Sequence, residues 1–357
     1  MRGLTHPLML MAVWVSVSLF GTASPLAADL QRRVLTPSFT YNDAPNLLAN
    51  AQGIFLFWSA GSGEGQVNNT IQQSFFKDGQ WSQPNQVIEH VAASNGVHLP
   101  CWNPVPLKGP GNQTALFFQV GRTREEWKGR VMFSYDGGHS WMKDHALPRG
   151  IHGATKNKPL LMPDGRFLCP SSNEEAGWRV QLEWATPFRE RWGWSRTKPL
   201  NYPGEYRATD PAILLHDDEH IQILCRSKQG YMTEIWSHDS GKTWGSMKRG
   251  ALPNPGSSMD VIKLKDGRFA MVYSHSASKS DRMHLALSQD GVHWQGAAIL
   301  DKNPAQHFDH PSIIQTQNGQ LHIVYSVNRR HLHHLEINPS SLEGAPIVNE
   351  VWPVKIK

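Results

Sequence analysis

Cysteine is scarce in this 357-residue chain, which has three: Cys101, Cys169 and Cys225. An odd number with no C-x-x-C spacing argues against a disulfide framework and a thiol-built zinc site. Each lies in or beside a strand-like apolar run and reads as a buried thiol. No block of Lys and Arg occurs, so the electrostatic footprint of a nucleic-acid binder is missing. Convincing helical periodicity is missing too. Long apolar runs are limited to Leu8–Phe20, and thirteen residues fall short of the ~20 that span a bilayer. With Arg2 before it and small residues ending at Ala27–Ala28 after it, this stretch reads as a secretory signal peptide over residues 1–28. A secreted or periplasmic protein with no membrane span after signal removal is therefore expected. The formal net charge is +5, and loss of Arg2 with the signal leaves +4. That mild basic excess suits an anionic ligand without identifying one. No cofactor, metal or protein partner is expected.

Tryptophan, by contrast, is plentiful, with 14 residues. Three segments share the pattern Ser-x-Asp-x-Gly-x-x-Trp: "SYDGGHSW" (134–141), "SHDSGKTW" (237–244) and "SQDGVHW" (288–294), the last one residue short. This is the chemistry of a capped hairpin turn. The Asp oxygen accepts backbone N–H bonds, Gly takes a conformation that a Cβ penalises, and the Trp buries a large ring beneath the turn. Degenerate copies end at Trp81 ("SFFKDGQW") and Trp192 ("ATPFRERW"), so the marks Trp81, Trp141, Trp192, Trp244 and Trp294 step by 60, 51, 52 and 50 residues. Periods of that size mean a propeller or a solenoid. Between the marks, short β-branched runs are joined by turns such as "PDG", "KDG" and "QNG", the signature of hairpins. The expectation is an all-β fold, a six-bladed β-propeller in one domain over residues 29–357. Ring closure is expected to join residues about 32–40 to the terminal segment "VNEVWPVKIK".

In each unit one residue precedes the first strand: Ala44, Asn103, Lys158, Asp210, Asp260 and His310. First strands line the axis of a propeller, so these six residues are expected to converge on one funnel, the default place for a ligand. Asn and Asp at strand starts also cap turns, which is a sufficient reason for Asn103 and an equal one for Asp260. Lys158 and His310 are poor caps. Arg226 leaves a second strand ("LCRSKQG"), Arg282 starts the next outer pair ("SDRMHLALS"), and arginine binds carboxylates bidentately. Glu64 lies on the glycine-rich loop "GSGEGQ". Trp102 and Trp178 are candidates to stack on a sugar face, whereas Trp127 reads as buried. The run "NRRHLHHLE" (328–336) looks like a metal cluster, but His331 and His333 share one strand face and His334 the other. Only Glu336 falls at ligand spacing, so an exposed outer strand is the simpler reading.

These residues resemble a known family. Aspartate boxes on a six-bladed propeller with arginines at its funnel look like the sialidase (neuraminidase) superfamily. The motifs "PCWNPV", "KNKP", "LCPSS" with Trp178 downstream, "LCRSKQG", "LPNP…MD" and "LALSQDGVHW" resemble its BNR-repeat sialidase-like branch over about residues 40–335. The boxes carry little functional information, because in such propellers they lie opposite the site. The resemblance implies that Arg226 matches the second of three carboxylate-binding arginines and Arg282 the third. It puts Asp210 where a Glu normally supports the nucleophile, His310 where a Tyr is that nucleophile, and Glu64 in the loop of the general acid. The first arginine, expected near Ala44, is missing.

The sequence therefore predicts a glycoside hydrolase acting on an acidic sugar, sialic acid or a related ulosonic or uronic acid. His310, Asp210 and Glu64 are its candidate catalytic groups. Arg226, Arg282, Lys158, Asn103, Trp102, Asp260 and Trp178 are its candidate binding groups. The alternatives are a polysaccharide lyase on a uronic acid, with His310 as base, and a non-catalytic glycan-binding propeller.

Overall fold

The structure, a computed structural model, describes residues 30–88, 91–93, 95–174, 177–202 and 204–353. The expected signal peptide lies outside them. Six antiparallel sheets run outward from a common axis, five of them in sequence order and the last completed by the N-terminal strand. Their innermost strands are Tyr41–Asn50, Cys101–Lys108, Leu160–Leu161, Ala208–Leu215, Asp260–Lys263 and Phe308–Gln315, in blades 1 to 6. The second strands are Gly53–Gly61, Thr114–Val120, Phe167–Asn173, Ile221–Ser227, Phe269–Tyr273 and Leu321–Val327. The expected six-bladed propeller is the fold found.

Closure differs from expectation. The N-terminal strand Gln31–Leu35 pairs with His331–Ile337 and becomes the outermost strand of blade 6. The C-terminal segment does not meet it. Ala345–Pro346 instead adds to the outer edge of blade 5 beside Trp294–Lys302, and Ile347 and Trp352 pack on the apolar cluster between blades 4 and 5. Blade 6 lacks only a fourth strand, which the N-terminus supplies, so an edge remains on blade 5 for the C-terminal segment to cover.

Six apolar clusters hold the ring, one at each junction between neighbouring blades. The five marker tryptophans divide among five of these junctions. Trp81 packs between blades 6 and 1, Trp141 between 1 and 2, Trp192 between 2 and 3, Trp244 between 3 and 4, and Trp294 between 4 and 5. At the sixth junction the equivalent place, just before the fourth strand, holds Leu30. The aspartate boxes form as expected. Asp136 Oδ1 accepts from the amides of His139 and Ser140 at 3.0 and 2.9 Å, and Asp239 and Asp290 repeat the arrangement. They close the turn after each third strand, at the end of the propeller opposite the start of the first strands.

Candidate active site

At the threshold of four blades the chain does the same unusual thing. Ala44, Asn103, Asp210 and His310 have φ of 51, 46, 51 and 49°, and each precedes a proline. The ladder to the second strand slips at each of them, between Asp43 and Asn46, Trp102 and Val105, Thr209 and Ala212, and Asp309 and Ser312. A non-glycine residue at positive φ is uncommon and costs energy, and a bulge re-aims its side chain. Four repeats of one strained bulge turn four side chains toward the axis. Hydroxyls from the preceding blade hold two of the bulges, Ser59 Oγ accepting from Asn103 N and Ser172 Oγ from Asp210 N, both at 3.0 Å.

His310 is buried, and its Nδ1 lies 2.9 Å from Asp43 Oδ1. That oxygen also accepts from Ser326 Oγ at 2.7 Å. Burial raises the Asp43 pKa, but the charge and hydrogen bond of His310, with Arg329 and Ser326, outweigh it and hold the carboxyl at about 2. The His310 amide donates to Asp309 Oδ1 at 2.8 Å, and Asp309 is pushed below the usual range despite burial, chiefly by His310. His310 Nε2 has no hydrogen-bond partner among the described residues. The expected partner of His310 was Asp210. The carboxylate beside the ring is Asp43, because the bulge of blade 1 leaves Asp43 facing the neighbouring blade 6.

Asp210 pairs with Arg226, Oδ2 to Nε at 2.8 Å, with both side chains almost completely buried. Ser258 Oγ donates to the same oxygen at 2.7 Å, and Arg226 Nη1 donates to Gly256 O at 2.7 Å. Trp178 does not offer a bare ring, since the Arg226 guanidinium lies 4.7 Å and Lys228 Nζ 4.4 Å from its centroid. Its part here is to fix Arg226.

Lys158 and Asp260 lie deeper than expected. Counting back from the bonds that close the first hairpins, Met162 N to Arg166 O, Leu264 N to Arg268 O and Thr316 N to Gln320 O, aligns Lys158 and Asp260 with Ser312, two residues past His310. Accordingly Lys158 Nζ contacts Asp260 Oδ2 and Ser312 Oγ, both at 2.8 Å, and Asp260 Oδ2 accepts from Ile313 N at 2.9 Å. The same count puts Lys156 and Ser258 level with His310. Lys156 is buried and donates to Pro311 O at 2.7 Å, and burial depresses its pKa to about 8. Asn103 donates from Nδ2 to Thr155 O at 2.9 Å. Residues 155–158 thus cross the axis and tie blade 3 to blades 1, 2, 4, 5 and 6.

Around the mouth stand charged residues that sequence reasoning missed. Glu64 contacts Arg124 Nη2 through Oε1 at 3.3 Å and Arg329 Nη1 through Oε2. Arg329 Nε lies 3.5 Å from Asp43 Oδ2, and Arg124 Nη1 lies 3.9 Å from Glu174 Oε1. Burial raises the Glu174 pKa, partly offset by Arg124. Trp102 is buried beneath the Glu64 loop, with Nε1 donating to Gly121 O at 2.8 Å and its ring 5.6 Å from that of Trp127. A Cβ on Gly65, at φ +70°, would meet it at 3.4 Å. Trp102 is therefore a floor for the loop and not a sugar platform. Arg282 pairs with its neighbour in the chain. It starts the third strand of blade 5, one strand further from the axis, and its Nε and Nη2 both contact the adjacent Asp281, at 2.6 and 3.2 Å. Arg124, Arg226 and Arg329 all face the funnel acids, while Arg282 is paired with Asp281.

The histidine run divides as alternation requires. His333 Nδ1 meets Asp301 at 2.8 Å, while His334 is buried on the other face, 3.0 Å from His322 and close to Glu336. Trp81 Nε1 donates to His334 Nδ1 at 3.2 Å. Neutral His334 then carries its proton on Nε2 and donates it to His322 Nδ1, so no lone pair is left there for a metal.

The sequence pattern of the BNR repeat-like domain matches residues 52–323. No curated protein matches the chain in sequence. Among solved structures, a protein of unknown function from Dyadobacter fermentans superposes with a TM-score of 0.71 at 13% identity, covering 87% of this chain and 99% of that one. A point variant of the NanB sialidase from Streptococcus pneumoniae gives 0.67 at 11%, covering 87% and 70%. The sialidase of Trypanosoma rangeli gives 0.65 at 13%, covering 84% of this chain and 55% of that longer one. At such identities the likeness speaks for the fold. With the family pattern over most of the ring and the six blades with their aspartate boxes in place, this chain belongs to the BNR repeat-like, sialidase-like family.

Proposed function

We propose that this chain is an exported enzyme that cleaves a glycan at an acidic sugar, as a sialidase-like glycoside hydrolase. The observation that carries the reading is the contact of His310 with Asp43. A carboxylate on Nδ1 fixes the ring and its tautomer, and Nε2 is left for a reacting atom. In the hydrolase His310 activates water or attacks the anomeric carbon. The buried pair of Arg226 with Asp210 lies beside it, and the guanidinium edge not engaged by Asp210 and Gly256 meets the sugar carboxylate.

One observation favours a second reading, a lyase on a uronic acid. Both Glu64 oxygens contact guanidiniums, so protonating a leaving group requires the acid to leave at least one of them. A lyase needs a base, His310, and a cation that neutralises the carboxylate next to the acidic C–H, and the proton His310 takes from carbon can pass to the departing glycosidic oxygen without Glu64. The test is a screen of the exported chain on sialosides, ulosonic-acid glycosides and uronic-acid oligosaccharides, read by released sugar and by the ultraviolet absorbance of an unsaturated uronate. The reading expects turnover on one class, and in His310→Ala a loss of about 10²–10⁴-fold. Tight binding with no turnover would instead select a glycan-binding propeller.

A further inference from the structure

Five charged side chains form a line across the funnel mouth: Asp43, Arg329, Glu64, Arg124 and Glu174. The two arginines come from the loops that follow the second strands of blades 6 and 2, and Glu64 from the corresponding loop of blade 1. Three acids alternate with two guanidiniums, but the acids are not alike. Asp43 is 3% exposed and fixed by His310 and Ser326. The Glu174 side chain is 11% exposed. Glu64 is 39% exposed and rides on a loop with glycines at 61, 63 and 65. Exposed ion pairs of its kind are weak, so Glu64 is the one member of the line that can leave at small cost. When it does, two guanidiniums from the blades on either side of blade 1 are left facing one point.

We propose that Arg124 and Arg329 form an anion site for the carboxylate of the acidic sugar, and that Glu64 is a resident carboxylate which fills this site until the ligand displaces it. The proposal rests on the acidic-glycan reading and adds Arg124 and Arg329 to Arg226, the guanidinium which that reading already gives to the same carboxylate. It also explains selectivity. A ligand carboxylate replaces a carboxylate, so the alternation of charge along the rim is kept. A neutral sugar that pushed Glu64 aside would leave both guanidiniums without a counter-charge from that side, which disfavours it. An anion held there also lies beside Asp43 and hence beside His310, since Arg329 contacts the same carboxylate as the imidazole.

The test is calorimetric binding to the full exported chain, with sulfate as a bare anion, galacturonate and N-acetylneuraminate as sugar acids, and their methyl esters as neutral controls. Glu64→Gln keeps the size of the side chain and removes its charge. It is expected to bind sulfate and the sugar acid about tenfold more tightly than the unaltered chain, by removing a competitor for two exposed pairs. Glu64→Asp, a carboxylate too short to bridge both arginines, should fall between. The gain should vanish in the double variants Glu64→Gln/Arg124→Gln and Glu64→Gln/Arg329→Gln, with the esters unaffected throughout. Unchanged sulfate affinity in Glu64→Gln, or a gain that survives loss of the arginines in chains that melt normally, overturns the proposal. A sulfate gain with no binding of either sugar acid upholds the anion site and removes the acidic-sugar reading instead.

Discussion

His310 Nδ1 lies 2.9 Å from Asp43 Oδ1 across the junction of the last blade and the first, 267 residues apart in the chain. The contact spans the place where the ring closes, so it forms only when blades 6 and 1 have docked. Asp43→Asn keeps the shape and exchanges the charged acceptor for an amide, which no longer enforces one tautomer. Turnover on a confirmed substrate should fall by about 10²–10⁴-fold, and the double variant with His310→Ala should be little worse than His310→Ala alone, as for groups acting as a unit. Additive losses would mean that Asp43 acts elsewhere.

Arg226 offers a second test. Its Nε and Nη1 are engaged by Asp210 and Gly256, so its planar fork is already oriented. Arg226→Lys keeps the charge and loses the fork. Losing one charge-assisted hydrogen bond at about 1.5–3 kcal/mol should weaken an acidic sugar by about 10–150-fold and leave its amidated analogue nearly unchanged. Equal losses for both ligands, measured side by side, would separate Arg226 from the carboxylate.

The repeat was legible because tryptophan spacing reports a physical unit: one ring at each of five of the six blade junctions, visible even where the aspartate box has decayed, as at Trp192. His310, Asp210 and Arg226 were legible for the same reason, since their places in the repeat fix where they point. Lys158 and Asp260 were read two residues out of register, because no left-handed residue before a proline marks the threshold of blades 3 and 5. Asp43 lies one residue before Ala44, the position the repeat marks, and no motif singles it out. Arg124 and Arg329 stand on loops, outside the repeat, and nothing in their neighbours' composition distinguishes them from surface arginines. Arg282 matched the motif of the family but belongs to a third strand, and contact with Asp281 follows from adjacency alone.

The marker tryptophans are not equal in the core. Trp294 and Trp192 are 5% and 8% exposed, with Nε1 donating to Gly291 O and Arg189 O at 3.1 Å, whereas Trp244 is only half-buried with Nε1 unpartnered. Trp294→Ala and Trp192→Ala should each cost about 3–5 kcal/mol, the range for truncating a large core ring. Trp244→Ala should cost less. Denaturant unfolding of the three variants checks the order, and a larger loss at Trp244 would contradict the packing described.

Acid should loosen the funnel before the rest of the ring. Asp43 is held at about 2 against an ordinary 3.8, and Asp210 and Asp309 are also held low by cationic partners. Carboxyls depressed in the folded state add stability that is complete above the unfolded pKa and is lost as pH falls through the folded one. Melting temperature should therefore hold down to about pH 4 and drop between about pH 4 and 2. In Asp43→Asn the drop should be shallower, because one linked proton is gone. An unchanged slope would show that Asp43 is not ionised in the folded chain.

Lys158 separates a structural pair from a binding group. Its Nζ lies 2.8 Å from Asp260 Oδ2, in the layer beneath His310, and Asp260 is 3% exposed. Lys158→Met removes the cation and leaves a buried carboxylate with only backbone amides, Ile313 N and Val261 N, to satisfy it. Breaking such a pair from one side costs about 3–5 kcal/mol. The Lys158 side chain retains 21% exposure, which puts the expected cost at the lower end. The double variant Lys158→Met/Asp260→Asn removes the stranded charge and should recover part of the loss. Affinity for an acidic sugar, measured on the folded fraction below the melting range, should stay as in the unaltered chain. If Lys158→Met melts normally but binds the sugar acid less tightly, Lys158 reaches past Asp260 into the funnel, and the two-layer description of the axis is wrong.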